Sequence, residues 1–300
     1  MSLQFAYYPG CAAKQVQKEA DGAAHAVCSV LGITLTPMPR ATCCGAVSLR
    51  ETHPDFALAT NARILSEAEA LGLDILTVCN TCTQTLSYSN HRLVHDEGLR
   101  SQINAVLEQA GVRPYGGGVR VRHLVWVLME SVDREVLQAH IKHPLNGLRV
   151  APFYGCHNLR PAGILDTRQA GERADHLDRL IELMGGVPVA YPGRDRCCGF
   201  HVMLSDAREM RTMVANNCLS AKEQGAEVMI TPCTLCDMAM GSYQKIAADS
   251  VGVSIDLPEM NFAQLLGVAM GLNGHELGLS RLHLAPYMAF LRHNIEYGFY

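Results

Sequence analysis

Arg196-Cys197-Cys198-Gly199, with Pro232-Cys233-Thr234-Leu235-Cys236 after it, decides the reading of this 300-residue chain. The arrangement repeats an earlier one, Cys43-Cys44-Gly45 with Cys79-Asn80-Thr81-Cys82. In both copies 34 residues lie between the adjacent pair and the CxxC. A lone cysteine stands upstream of each: Cys11 after Tyr8-Pro9-Gly10, and Cys156 after Tyr154-Gly155. A five-cysteine pattern, C…CCG…CxxC, therefore occurs twice, and only Cys28 and Cys218 of the 12 cysteines fall outside it. Both of these lie in helical stretches and read as small buried hydrophobes.

The elements around the pattern alternate between strand and helix. Leu3 to Tyr8 reads as a strand ending at Pro9-Gly10, just before Cys11. Lys14 to Leu31 carries an apolar helical stripe, and Gly32 stops it. Ile33 to Thr36 is a second strand leading toward Cys43-Cys44. Pro54 to Leu71 is a helix with Pro54 and Asp55 suited to its first turn. Leu73 to Val78 is a compact apolar strand that runs into Cys79, with a helix starting near Cys82. His91 to Gly111 reads as helical, Val119 to Leu124 as a strand, and Trp126 to Ala139 as a helix. Pro144-Leu145-Asn146-Gly147 divides the chain, and the order then recurs. Leu148 to Tyr154 is a strand before Cys156, and Asp175 to Met184 a helix. Val187 to Tyr191 is a strand before Cys197-Cys198. A helix capped by Asp206 runs to about Gln224, and strand Ala226 to Thr231 delivers Cys233. Ser254 to Leu257 is expected to match the Val121–Leu124 strand, and Asn261 to Gly271 is a helix.

Such alternation predicts an α/β protein of two similar domains, residues 1–145 and 146–300, related by internal duplication. Each would hold a mainly parallel sheet flanked by helices. In such sheets sites form beyond the carboxyl ends of strands. All three cysteine groups of each half follow predicted strands, so five thiols can converge at one end of each half. The aromatic stretch Leu282 to Tyr300 has no counterpart in the first half. It reads either as a tail packed on its own domain or as a docking surface for another subunit.

Composition narrows the function. Hydrophobic residues make up 48% of the chain and the net charge is −4. No basic run points to nucleic acid. No charged segment followed by an apolar run opens the chain, so no signal peptide is expected. The longest apolar stretch, Phe262 to Leu272, falls short of the roughly 20 residues a membrane span needs. The expectation is a cytoplasmic protein without a transmembrane segment. In that reducing compartment, fixed cysteine spacings favour metal binding or catalysis over structural disulfides.

The cysteine count discriminates between metals. Zinc takes four ligands in a tetrahedron, so five cysteines are one too many. Adjacent cysteines, with Cα atoms about 3.8 Å apart, fit awkwardly around one small ion. A cluster of several irons offers several attachment points, and thiolate-rich sets suit iron–sulfur chemistry. Gly45 and Gly199 are expected to let the backbone approach the inorganic part. A zinc-stabilised scaffold, at least in one half, stays open as an alternative.

The doubled pattern resembles the cysteine-rich CCG domain family, in particular the B-type subunits of heterodisulfide reductases. The resemblance rests on Tyr8-Pro9-Gly10-Cys11, Arg149-Val150-Ala151-Pro152-Phe153-Tyr154-Gly155-Cys156-His157, Arg196-Cys197-Cys198-Gly199 and Thr231-Pro232-Cys233-Thr234-Leu235-Cys236. It implies two noncubane 4Fe–4S clusters that bind and cleave a disulfide or related sulfur substrate. Carried over by position, Cys11, Cys43, Cys44, Cys79 and Cys82 would hold one cluster. Cys156, Cys197, Cys198, Cys233 and Cys236 would hold the other. It also implies a ferredoxin-like C-type subunit and a flavin-containing A-type subunit as partners. Related bacterial complexes use such subunits in sulfur oxidation, thiol-dependent fumarate reduction, and lactate or glycolate oxidation. The chain carries no ferredoxin-type motif of its own, so electrons must come from or go to a partner. Its departures from the family pattern are Asn80-Thr81 inside the first CxxC and Phe200-His201 after the second CCG, which would alter the substrate.

Catalytic candidates are His157, His201 and His123, which titrate near neutral pH and can supply protons. Arg160, Arg194 and Arg196 are placed to attract an anionic substrate. Beside the enzyme reading stands an electron-relay module built on the same cysteines. Hydride chemistry is disfavoured, because no G-x-G-x-x-G stands at a strand–helix turn.

Overall fold

Compact apolar strands such as Leu73 to Val78 need cover on both faces, and the fold supplies it. The computed structural model describes residues 3–165 and 173–296. Strand β1 (Gln4–Tyr8) sends Phe5 and Tyr7 into one core and Ala6 and Tyr8 into another. Helices α1 (Gly10–Gln15) and α2 (Lys18–Val30) follow, then β2 (Thr34–Pro37), α3 (Ala46–Thr52), α4 (Pro54–Ala70) and β3 (Ile75–Thr77). Next come α5 (Asn80–His95), α6 (Glu97–Gln109), β4 (Val121–His123), α7 (Leu124–Ser131) and α8 (Arg134–Ala139). All pairings in this first sheet are parallel, in the order β2-β1-β3-β4.

The second half repeats the scheme with β5 (Arg149–Pro152), α9 (His176–Leu183), β6 (Val187–Pro188), α10 (Ala207–Glu223) and β7 (Val228–Thr231). A short α11 (Thr234–Asp237) runs into a π-helical turn at Met238–Ser242, followed by α12 (Gln244–Val251), β8 (Glu259–Asn261), α13 (Phe262–Ala269) and α14 (Tyr287–Arg292). The order β6-β5-β7-β8 is again wholly parallel. Parallel sheets are stable when helices cover both faces, and β3, β7 and β8 are buried throughout, while the edge strands β2 and β6 are partly exposed.

Two sequence expectations shift. The edge strand of the second sheet is Glu259–Asn261 and not Ser254 to Leu257. The segment before it is held from the side instead. Gln244 donates to the Leu257 carbonyl and accepts from its N–H, which leaves the pairing to the next residues. The expected single helix from Lys14 breaks at Val16-Gln17, so Cys11 lies inside the short α1 and not in a loop.

The halves are interlocked. Helix α13 of the second half packs on α2 of the first, and α7 of the first packs on α9 of the second. Alanines make the first approach close: Ala20, Ala23 and Ala24 are fully buried on α2, beside Val27. One continuous core thus contains Ala23 and Val27 together with Leu265, Leu266 and Val268. Phe290 and Ile295 of the tail are buried in the same core, whereas Tyr287 is exposed; Tyr297, Phe299 and Tyr300 lie outside the described residues. Cys28 and Cys218 are buried in the two cores, Cys218 with its Sγ 3.5 Å from Met240 Sδ. Among the described residues no helix is long and apolar enough to cross a membrane.

Candidate metal centre

Each cysteine group is delivered by a strand end. Strand β1 ends at Tyr8, whose hydroxyl donates to the Thr42 carbonyl at 2.7 Å and so draws the Cys43 loop toward Cys11. Cys43 Sγ then lies 3.4 Å from Cys11 Sγ, and Cys44 Sγ lies 3.6 Å from Cys82 Sγ. Strand β3 delivers Cys79, the N-cap of α5, so this CxxC spans the first turn of a helix; Cys233 caps α11 in the same way. All ten pattern cysteines are free thiols.

Within each half one thiol of the adjacent pair is prepared as an anion. Cys43 is held far below the ordinary thiol range by its hydrogen bond with Cys11 and by the Gly45 N–H at 3.4 Å. Cys197 is held down likewise by Cys156 and by the Gly199 N–H at 3.3 Å. Cys11 and Cys156, their partners, are pushed up. A thiol whose anion is favoured, set among several buried thiols, suits a bound cation or cationic cluster. The sulfur contacts run on from one thiol to the next, Cys11–Cys43–Cys44–Cys82–Cys79 in one half and Cys156–Cys197–Cys198–Cys236–Cys233 in the other, and among the described residues no three His, Cys, Asp or Glu side chains are placed to hold a single ion. A donor set spread this way fits a group of several atoms better than one tetrahedral ion.

Gly45 and Gly199 have φ of 79° and 86°, the left-handed region. A Cβ on Gly45 would strike the Leu49 side chain at 2.5 Å, and one on Gly199 would meet the Met210 backbone at 3.2 Å. Their glycine character is thus required by the turn into the next helix, while their amides serve the neighbouring sulfurs. The glycines that lie against sulfur are Gly10 and Gly155, which sequence reasoning alone does not single out. A Cβ on Gly10 would stand 2.7 Å from Cys82 Sγ, and one on Gly155 would stand 3.1 Å from Cys236 Sγ. Gly-Cys at both lone cysteines is the sequence signal that points to them.

The two sets meet. Cys79 Sγ lies 3.8 Å from Cys233 Sγ across the boundary of the halves, although 154 positions separate them in sequence. Asn80 donates to the Tyr154 carbonyl at 2.9 Å and accepts from Asn158 at 2.7 Å, so the first CxxC clasps the turn that carries Cys156. In return Gln17 donates to Asp237 at 3.0 Å, next to Cys236. Asp237 is buried close to Glu19 and Glu259. Burial, then the Glu19 charge, raises its carboxyl to about 8, and burial raises Glu259 well above the carboxylate range.

Two of the three histidines join the centre. The rings of His157 and His201 stand 5.4 Å apart, on either side of the Thr81 hydroxyl. Burial lowers both below the usual imidazole value, and the Arg50 charge lowers them further. His123 does not join them. It is fully buried, its Nδ1 accepts from the Val125 N–H, and its Nε2 donates to the Pro232 carbonyl at 2.8 Å. Both nitrogens are committed to capping α7 and bracing the Cys233 loop, and burial lowers its pKa to about 4. The expected anion-binding arginines are also engaged. Arg194 pairs with Asp178 over the Tyr154 ring, and Arg160 pairs with Asp195; Arg196 is exposed. Arg50, which the sequence does not single out, is the cation that both histidines feel.

Comparison with known proteins matches the site. Residues 5–87 and 150–241 fit the CCG cysteine-rich domain. The chain is 35% identical over 283 residues to the 8-methylmenaquinol:fumarate reductase membrane anchor subunit of Wolinella succinogenes, covering 93% of this chain and 96% of that protein. It is 30% identical over 258 residues to the B-type subunit of the ferredoxin/F(420)H(2)-dependent CoB-CoM heterodisulfide reductase of Methanosarcina acetivorans, covering 84% of each. It is 26% identical to a protein of Archaeoglobus profundus that is like the B-type subunit of heterodisulfide reductase, over 90% of this chain and 92% of that one. A crystal structure of a hypothetical protein from Helicobacter pylori aligns with a TM-score of 0.72 at 12% identity, over 93% of this chain and 51% of that chain. That likeness concerns the fold alone.

Proposed function

Since the chain belongs to the cysteine-rich CCG domain family, we propose that it is the iron–sulfur subunit of a heterodisulfide-reductase-like complex that cleaves or forms a disulfide. Cys11, Cys43, Cys44, Cys79 and Cys82 hold one noncubane 4Fe–4S cluster, and Cys156, Cys197, Cys198, Cys233 and Cys236 hold the second. When bound, such clusters pass electrons singly and offer iron to a substrate sulfur. The duplicated halves, divided near residue 145, each frame one set.

The chain's own residues do the remainder. Gly10 and Gly155 leave room for the sulfurs of Cys82 and Cys236. The Asn80 clasp and the interlocked helices hold the sets face to face. His157 and His201 hold protons at ring nitrogens beside the C-terminal set and deliver them to departing thiolates. In the reductive direction R–S–S–R′ takes two electrons and two protons and leaves as R–SH and R′–SH. Electrons come from a ferredoxin-like C-type partner, itself served by a flavin-containing A-type subunit, in the cytoplasm. The observation that carries this reading is the meeting of the two five-thiol sets at Cys79 and Cys233, with His157 and His201 paired beside the C-terminal set.

A second reading has support in the 35% identity to a fumarate reductase subunit. In it the same centre relays electrons between partner subunits, and no substrate sulfur binds. Iron, zinc and acid-labile sulfide per chain, with EPR of oxidised protein with and without small thiols, separate the readings. About eight irons with matching sulfide and a thiol-dependent signal support the disulfide chemistry. The same iron without thiol sensitivity favours the relay. Zinc without sulfide removes both.

A further inference from the structure

From the adjacent cysteines to the CxxC the two halves keep a constant offset of 154 positions, so residues of one copy can be matched with those of the other. Arg40 and Arg194 hold the same place, three positions before the adjacent pair. Their surroundings differ. Arg194 lies over the Tyr154 ring and pairs with Asp178. Arg40 is exposed, and among the described residues no carboxylate pairs with its guanidinium. Further along, Arg63 and Glu67 of α4 match Asn217 and Ala221 of α10. In the second copy Ala221 is fully buried and Asn217 donates to the Cys197 carbonyl at 3.0 Å. In the first copy the same region is a cleft of about 490 Å³, between the end of edge strand β2, helix α4 and the loop after α6.

Arg40, Arg63 and Arg113 line this cleft together with Pro37, Leu71 and Val112. The loops that carry Arg40 and Arg113 are pinned to α4 through their backbones. Arg63 donates to the Arg40 carbonyl at 2.6 Å, and Ser66 donates to the Arg113 carbonyl at 2.6 Å. Glu67, the carboxylate in the lining, accepts from the Arg40 N–H at 3.0 Å. Among the described residues none of the three guanidiniums makes an ion pair. Three positive charges therefore gather beside an apolar wall, with one carboxylate whose oxygen is already engaged. Guanidinium forks match the oxygens of phosphate and carboxylate groups. The cleft has the volume of a small-molecule site, and it lies past the carboxyl end of a strand, where open α/β sheets place ligands.

We propose that this cleft binds a small polyanion with an apolar body, a phosphate ester or a dicarboxylate. Arg40, Arg63 and Arg113 hold its charged end, and Pro37, Leu71 and Val112 cover its body. The proposal goes beyond the function above and does not depend on what the cysteine sets hold. A ligand gripped by Arg40 steadies the loop that carries Cys43, three positions further on.

Isothermal titration of the anaerobically purified full-length chain with phenyl phosphate, phthalate and inorganic phosphate tests it. Phenyl phosphate or phthalate is expected to bind at least about fivefold more tightly than inorganic phosphate, because only these two offer an apolar face. The tighter of the two identifies the ligand as phosphate ester or dicarboxylate. Arg40→Gln and Arg113→Gln should each weaken that binding about 10-fold, the loss of one charge-assisted contact. Arg208→Gln, on the exposed start of α10, should leave it within about twofold. Trypsin locates the site, since Arg40 is exposed and followed by Ala41. The bound ligand is expected to slow cleavage after Arg40 by at least about threefold in the parent and not in Arg113→Gln. Arg113 lies on a different loop from Cys43, so its variant separates loss of the ligand from damage to the thiol set. No binding of any probe below about 10 mM, equal affinity for inorganic phosphate and both aromatic anions, or binding that survives both arginine variants overturns the proposal.

Discussion

Replacing Gly10 by alanine tests whether the backbone of this chain is shaped around its sulfurs. Three glycines share a left-handed φ but differ in what surrounds them: Gly10 at 82°, Gly155 at 65° and Gly32 at 67°. At Gly32 a Cβ meets nothing within 4 Å, so Gly32→Ala isolates the backbone cost, about 1–2 kcal/mol. At Gly10 the Cβ would stand 2.7 Å from Cys82 Sγ, about 1 Å inside ordinary contact. Relieving it adds about 1–3 kcal/mol of overpacking and displaces a thiol by far more than the roughly 0.2 Å that ligand distances tolerate. At Gly155 the gap is 3.1 Å, so the intrusion is about half as deep. At about 2 °C per kcal/mol for a chain of this size, Gly32→Ala should lose about 2–4 °C and keep its iron. Gly10→Ala should lose about 4–10 °C together with iron from one set, and Gly155→Ala should fall between. Thermal unfolding by circular dichroism and iron per chain, both under anaerobic conditions, read the series. Full iron in Gly10→Ala, with a Tm loss no larger than that of Gly32→Ala, would refute the reasoning.

Three further outcomes are expected. Glu130 accepts hydrogen bonds from Arg173 at 2.6 Å and from Arg122 at 2.7 Å, all three largely buried. Glu130→Ala strands two cations and should cost about 3–5 kcal/mol in urea unfolding; a loss below about 1 kcal/mol would show that the arginines find other partners. Asp237 has its carboxyl raised to about 8 by burial, against 3.8 for a free carboxyl. Below about pH 4 folded and unfolded chains are both protonated there, and between about 4 and 8 only the unfolded chain ionises, so native stability falls as pH rises. Asp237→Asn should flatten that fall by up to about 1.4 kcal/mol per pH unit, and identical slopes for parent and variant would contradict it. Removing metal with a chelator should lower the Tm and raise protease sensitivity at the Cys43 and Cys197 loops, which unchanged melting and cleavage would exclude.

Most of the architecture was legible because strand alternation, glycine stops and a repeated cysteine spacing are local signals. The strands before Cys11, Cys79, Cys156 and Cys233 lie where short apolar runs put them. Local signals miss what depends on tertiary neighbours. Helix α3 has little apolar periodicity of its own and starts from Gly45, whose left-handed backbone only the folded turn reveals. The register of β8 depends on Gln244 gripping Leu257 from another helix. Ten cysteines announced themselves by spacing, yet nothing in the spacing says that Cys79 and Cys233 touch. His123 illustrates the reverse: it reads as a proton-supplying candidate in the sequence, but one of its nitrogens caps α7 and the other donates to the Pro232 carbonyl. Thr81 looked like a departure from a motif until its partners across the boundary came into view.

The interlocking of α13 with α2 also bears on how the chain must be made. Synthesis proceeds from the N-terminus, and the alanine face of α2 is complete long before residues 262–269 leave the ribosome. At about 5–20 residues per second, the roughly 230 residues between them leave that face without its cover for on the order of 10–50 s. The nascent first half is therefore a natural client for a chaperone, and its five thiols wait with it. Iron delivered before Cys236 is made would meet only one complete set.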